Sequence, residues 1–320
     1  MHMIRLTAAI YLIGTIVAVQ GNAAAQEYPT RPVRIVTSGA GGSSDFTARQ
    51  IAQGISGSLG QQVVVENRGS GINPGAITAK ASPDGYTLLL AGGTFLTFPL
   101  LQKTPYDPVK DFSPVTIVER GANIILVHPT LPAKSVKELI ALAKAKPDEL
   151  NYASTGIGSP THLATELFKS MAGVKIVHVP YNGNQQAITD LIGGRMQLMF
   201  LAVSPAAPHI KAGSLRPLAV TSTQPSALAP GVPTVAASGL PGYESVQMTT
   251  IFAPAKTRAA VINRLNQDIV RFLNTPETKE KFLAAGIEVV GSSSEQLAIA
   301  MKAEIDRLSK LIKDIGIRIE

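Results

Sequence analysis

The sequence predicts an α/β protein of two halves, each with a parallel-rich sheet covered by helices. Three observations carry this. Strand-like and helix-like segments alternate along almost the whole chain, the pattern of βαβ units. The strands are short apolar runs, as sheets buried on both faces require. Two Gly/Ser-rich loops, at 38–44 and 154–160, each sit between a strand and a helix. No internal repeat is strong enough to call a duplication.

Taken in order, Val33–Val36 is a β-branched strand, followed by the first Gly loop. A helix runs from Asp45 to about Ser58, with Phe46, Ile51 and Ile55 available for one face. Gln62–Glu66 is a strand, and Asn73-Pro74-Gly75 precedes a short helix. The turn Pro83-Asp84-Gly85 leads into strand Tyr86–Ala91. Strand Ile124–Val127 is closed by Pro129. Ser135 and Glu138 form a capping box for helix Val136–Ala145. Asn151–Ala153 leads into the second Gly/Ser loop and a helix over about 161–171. Strand Val174–Val179 ends at Pro180-Tyr181-Asn182-Gly183. Helix Gln186–Ile192, strand Met196–Phe200 and strand Leu215–Thr221 follow. The Ala/Pro/Ser-rich stretch 224–241 reads as a long surface connection. The C-terminal part is helical, with Thr275-Pro276 as N-cap and N1 proline and a capping box at Ser292 and Glu295. Met301, Ile305, Leu308, Ile312 and Ile315 form one apolar stripe for packing onto the body.

Residues 1–25 read as a secretory signal peptide. Arg5 supplies the basic end, Leu6–Val19 the apolar stretch and Ala23-Ala24-Ala25 the cleavage site, placing the cut after Ala25. An apolar stretch of about 14 residues is short for a membrane span of roughly 20. The expected location is the periplasm. The chain has no Cys, which excludes disulfides, thiolate zinc sites and cysteine nucleophiles together. With 45% hydrophobic and only 16% charged residues, disorder is excluded as well. The net charge of +7 is spread along the chain, without the basic run or interleaved aromatics of a nucleic-acid binder.

No enzymatic motif surrounds the histidines. Ser159 and His162 both fall at one helix start, where Ser caps, and His178 falls in a strand. No spacing suggests a metal site. The loops after strands are more informative. Bare backbone at Ser38, Gly39, Ala40, Gly41, Gly42 and Ser43 can approach a ligand, and helix N-termini favour an anion. It is neither a dinucleotide fingerprint nor a P-loop, lacking the third glycine and the Gly-Lys pair. Thr155, Gly156, Gly158 and Ser159 have the same context, as do Tyr181, Asn182 and Gly183. Together they suggest a cleft gripping an anion from two sides, held by N–H groups and hydroxyls rather than by a cation cluster.

Many segments resemble the Bug-type extracytoplasmic solute receptors of tripartite tricarboxylate transporters. They include Tyr28-Pro29 with Pro32–Val36, Gly41–Asp45 with Ala48-Arg49, Val65–Arg68, Pro83–Thr87 and Pro105–Phe112. Gly158-Ser159 with His162-Leu163, Val179–Gly183, Asp190–Gly194, Val232–Val235, Gly239–Glu244 and Ala253–Ala255 continue it. The resemblance spans the mature chain. It implies a two-domain periplasmic-binding-protein fold of type II-like topology, with a ligand cleft between domains joined by two crossing strands. The implied domains are 26–123 plus 251–320, and 124–250. It further implies capture of a small organic carboxylate by the three loops, delivery to membrane transporter subunits, no cofactor, no catalysis and a monomer. The alternative role is presentation of the ligand to a signalling receptor.

Departures from the family pattern bear on the ligand. Family members often have Pro-Phe at Thr37-Ser38, Asn at Phe98, Asp at Gln197 and Leu201, and Trp at Met248. Phe98, Leu201 and Met248 are therefore expected ligand contacts, and Thr94 is expected beside them. They favour an aromatic or weakly polar mono- or dicarboxylate over a polar amino acid, with Phe98 available for stacking. Bulk at Gly41 or Gly158 is expected to block the ligand without unfolding the chain.

Overall fold

The computed structural model describes residues 28–41, 43–69 and 72–317. The proposed signal peptide and Gly42 lie outside them. The chain runs β1 (Val33–Thr37), α1 (Ser43–Leu59), β2 (Val63–Asn67), α2 (Asn73–Ala79), β3 (Thr87–Ala91), α3 (Thr94–Leu101) and β4 (Phe112–Val127). It continues with α4 (Val136–Ala145), β5 (Asn151–Ser154), α5 (Pro160–Ala172), β6 (Val177–Pro180), α6 (Asn184–Ile192), β7 (Leu198–Ala202), α7 (Val203–Lys211) and β8 (Arg216–Val220). It closes with β9 (Val246–Pro254), α8 (Ala259–Leu273), α9 (Pro276–Ala284) and α10 (Ser294–Ile315).

Strand β4 serves both halves. Its residues 112–122 pair antiparallel with β9, and 123–127 pair antiparallel with β7, with β8 on the other side. In the first half the strand order is β2-β1-β3-β9-β4, with β1 parallel to β2 and β3, and β3 antiparallel to β9. In the second half it is β6-β5-β7-β4-β8, with β5 parallel to β6 and β7. Order and pairing sense are the same in both. Parallel pairing is confined to the outer βα strands, and the strands that cross between halves are antiparallel.

Apolar residues on both strand faces explain the layering. All five residues of β3 are buried. One face of the first sheet packs Ile35 and Leu88 against Ile51 and Ile55 of α1 and Leu265 and Ile269 of α8. The other face packs Leu89 and Phe252 against Phe95 of α3 and Leu297 and Met301 of α10. Fully burying each such side chain contributes about 1.5–3 kcal/mol. The second sheet is covered by Phe168 and Tyr243 on one face and by Ile188, Leu191 and Ala206 on the other. The α10 stripe divides its work: Met301 enters the first core, while Leu308 and Ile312 meet Leu163 of α5.

Local signals set several helix ends. Ser159 caps α5, Pro160 occupies its first position and Gly173 ends it at φ 62°. Thr275 and Pro276 start α9 as expected. Two caps differ from the sequence reading. Ser135 accepts the Glu138 N–H, but the Glu138 carboxylate accepts from Lys134 N–H, so the box is not reciprocal. The capping box of α10 is Ser293 with Gln296, one residue after Ser292 and Glu295. Ser292 is unavailable because it is buried: its Oγ accepts the Ile117 N–H at 2.9 Å. Helices α3 and α7, strand β9 and residues 112–123 of β4 have no counterpart in the sequence reading. Prolines inside α3 and α7 masked their period. In β4, pairing shifts at 114–116 and 117–119 break the regular alternation.

Candidate functional site

A cleft of ≈ 360 Å³ lies where the halves meet. Its floor is the crossing strands, with Glu119, Gly121 and Ala122 of β4 beside Gln247 and Thr249 of β9. The first half adds Ser43 and Ser44 at the start of α1, Gly92 and Gly93 before α3, and the segment 285–288. The second half adds Ala202–Pro205 at the start of α7, with Ser226 and Leu228. A smaller cavity of ≈ 40 Å³ shares Gly93 and Gln247 and extends to Pro160, Met248 and Arg307.

The cleft stands at the C-terminal ends of β1, β3 and β7, where open α/β sheets bind ligands. Helix α3 starts at Gly93 and α7 at Ala202, neither with a side-chain cap. In their first turns the Phe95 N–H donates to the Gly92 carbonyl at 3.1 Å and Pro205 has no N–H, so Thr94, Val203 and Ser204 carry the nearest backbone donors, and the helix dipoles favour an anion there. Gly93 lies at φ −56°, and a Cβ added to it would lie 3.7 Å from Gln247.

Of the cleft's charged groups, Glu119 is 8% exposed. It accepts from Thr249 Oγ1 at 2.6 Å and from Thr47 Oγ1 at 3.2 Å. Burial pushes its pKa up, against the pull of these two hydroxyl donors. Glu288 accepts from Ser226 Oγ at 2.7 Å and Leu228 N–H at 3.3 Å, a bond between the halves. Arg120 is exposed and lines the cleft, a cation that the sequence reading did not anticipate. Arg307, beside the smaller cavity, is committed to Glu304 and to the Glu244 carbonyl.

The expected site residues fall into distinct places. Ser43 lines the cleft, with Ser44 next to it. Ser38 is half-buried and its carbonyl accepts from Asn67, while Gly39 and Ala40 are exposed. The Gly41 N–H donates to Asp45 Oδ2 at 2.9 Å, so this loop is tied to its own helix. That bond, with Arg49 and Asn67, holds the Asp45 carboxyl at about 2. Thr94 opens α3 beside Gly93.

The second loop is satisfied internally. Thr155 N–H donates to Thr161 Oγ1 at 3.0 Å, Gly156 N–H to Ser154 Oγ at 3.1 Å, and Ser159 N–H to the Gly156 carbonyl at 3.2 Å. Gly158 N–H donates to His162 Nδ1 at 3.1 Å. His162 stacks on His178 at 4.3 Å, and His178 stacks on Tyr152 at 4.8 Å. Burial first, then His178, lowers the His162 pKa to about 4, keeping its ring a neutral acceptor. In the third loop, Tyr181 Oη donates to Asp190 Oδ2 at 2.8 Å, Asn182 is exposed and Gly183 precedes α6. None of these second- and third-loop residues lines the ≈ 360 Å³ cleft.

The residues expected to tune the ligand are also placed apart. Leu201 is 1% exposed within the second-half core. Gln197, at the opposite end of β7, accepts from Asn151 N–H at 2.8 Å. Met248 lines the smaller cavity and packs against Phe95 and Phe252. Phe98 is half-buried and lines neither cavity; the enclosed aromatic of α3 is Phe95, stacked on Tyr106 at 5.1 Å. Phe98 therefore offers no stacking face to either cavity. Gly41 and Gly158 have φ of 82° and 75°, where any Cβ is strained. Bulk there would disturb the loops themselves, contrary to expectation. Gly92-Gly93, directly after an apolar strand, was the one legible signal for the cleft that the sequence reading passed over.

Two halves of matching topology, joined by crossing strands over a cleft with uncapped helix N-termini, define a solute receptor of the periplasmic-binding-protein class. The family described as tripartite tricarboxylate transporter family receptor (TctC) matches residues 47–317. The chain belongs to this family of solute-binding receptors. It is 35% identical to Protein BugT of Bordetella pertussis, covering 100% of both chains. It is similar to R. palustris Rpa4515, solved with adipate, at 36% identity and a TM-score of 0.74, covering 91% of this chain and 99% of that one. It is also similar to MatC from Rhodopseudomonas palustris, solved with bound malate, at 27% identity and a TM-score of 0.70, covering 89% and 100%. Among the described residues no helix is long and apolar enough to cross a membrane.

Proposed function

We propose that this protein captures a small organic carboxylate in the periplasm and delivers it to the membrane subunits of a tripartite tricarboxylate-type transporter. The observation that carries this is the convergence of the uncapped N-termini of α3 and α7 on one cleft, with Ser43 and Ser44 alongside. Such donors suit a carboxylate without needing a cationic cluster. Solved relatives bound to adipate and malate support the same ligand class. The protein acts as a receptor and not as an enzyme in this reading. Residues 26–123 with 251–320, and 124–250, are the domains that close on the ligand, and β4 and β9 carry the hinge. The ligand-contacting residues are Ser43, Ser44, Gly92, Gly93, Val203 and Ser204, with Gln247 at the floor.

Calorimetric titration of ligand-free protein with adipate, succinate, malate, aspartate and benzoate tests the reading. Saturable one-to-one binding of at least one acid is expected. Gly93→Leu should weaken it by about tenfold or more, because the side chain enters the cleft from backbone open to any residue. A folded protein that binds none of these acids would overturn the proposal. Unchanged affinity in Gly93→Leu would move the site elsewhere.

A further inference from the structure

Glu119 sits oddly in a cleft built for anions. The residue is 8% exposed on the cleft floor, and its carboxyl makes none of the ion pairs found among the described residues. One oxygen accepts from Thr249 Oγ1 and the other from Thr47 Oγ1. A carboxylate oxygen has room for two donors, so each keeps one accepting site. A buried carboxyl with spare acceptor capacity costs free energy unless something donates to it. The other acid of the cleft, Glu288, is only half-buried and accepts from Ser226 and the Leu228 N–H on one oxygen, Oε1.

A plain carboxylate cannot fill this role, since it offers no donor and brings like charge. A ligand that fits the whole cleft needs a carboxylate for the helix N-termini and a donor for the floor. We propose that Glu119 is a specificity-determining residue that accepts a hydrogen bond from a hydroxyl or ammonium group carried by the ligand near its carboxylate. The receptor then prefers hydroxy or amino acids to plain acids of the same length. This rests on the carboxylate-capture reading and deepens it.

The test compares matched ligands on wild type and Glu119→Gln by calorimetry at neutral pH. The set is succinate, malate and aspartate, or adipate with its 2-hydroxy and 2-amino forms if only that length binds. Wild type should favour a donor-bearing acid over the plain acid by about tenfold or more, since a site built to pair a donor rejects the analogue lacking it. Glu119→Gln should shrink that ratio to within about threefold, mainly by weakening the donor-bearing acid. A larger loss for the amine than for the hydroxyl identifies an ammonium partner. Should Gln disturb the threonine contacts and the fold, Glu119→Asp keeps the charge, withdraws it by one carbon and reads out the same ratio. A wild type that binds the plain acid as well as its substituted forms overturns the proposal. So does a ratio unchanged in a folded variant. Binding of no acid at all would instead sink the carboxylate reading.

Discussion

Gly286 provides the sharpest test of how the halves meet. It lies in the first half at φ 77°, facing Ser204 in the first turn of α7. A Cβ built on Gly286 would lie 2.1 Å from Ser204 Oγ and 2.4 Å from its Cβ. Carbon atoms rest about 3.5–4.0 Å apart, so the two segments must separate by about 1 Å or more. Rotating the hydroxyl cannot help, because the Ser204 Cβ is fixed to the helix. The neighbouring bonds from Ser226 Oγ and Leu228 N–H to Glu288 span the same junction and would be lost with the separation. A hydrogen bond to a charged group contributes about 1.5–3 kcal/mol, so losing even one of the two should make Gly286→Ala bind carboxylate roughly 10- to 100-fold more weakly. The positive φ adds a separate cost of about 1–2 kcal/mol to folding. Ser204→Gly removes both clashing atoms and leaves the Cα at 3.4 Å. The double variant should therefore recover affinity to within about threefold while keeping the stability loss from φ. Titration calorimetry and urea unfolding separate the two effects. Wild-type affinity in a folded Gly286→Ala, or no recovery in the double variant, would refute the reasoning.

Three further outcomes are expected. Lowering pH from 6.5 to about 4 should destabilise the protein partly through His162: its folded pKa of about 4 lies below its ordinary value, so the stability of the neutral ring is present above pH 6.5 and is lost as pH falls toward 4. His162→Gln should flatten that part of the melting-temperature profile; an unchanged slope would exclude His162 as its source. Gly54→Ala places a Cβ 2.2 Å from the Phe272 ring between α1 and α8 and should cost about 1–3 kcal/mol in urea unfolding. Ser293→Ala should cost about 1 kcal/mol by removing the α10 cap, and Ser292→Ala about 1–3 kcal/mol by leaving the buried Ile117 N–H unpaired; the reverse order would return the cap to Ser292.

Much of the architecture was legible along the chain because it is written in neighbouring residues. The alternation of apolar strands with amphipathic helices, the bounds of α4, the Thr275-Pro276 start of α9 and the α10 stripe each depend on residues within a few positions. Family membership was legible for the same reason, in short segments spread over most of the chain. The site was legible only in kind. That strand-to-helix turns would suit an anion followed from their residue types; which turns line the cleft did not.

Tertiary structure decided that, because a loop's donors are free or committed only once its neighbours are in place. The second loop has an anion binder's composition, yet its N–H groups go to Thr161, Ser154 and His162. The start of α7, Ala202-Val203-Ser204-Pro205, carries no such composition, yet it borders the cleft without a side-chain cap. The matching strand order of the two halves is invisible in the sequence, since pairing selects burial and register rather than residue identity. Glu119 shows the limit most plainly. Its partners Thr47 and Thr249 lie 72 and 130 positions away, and only the crossing of β4 and β9 above α1 brings the three together.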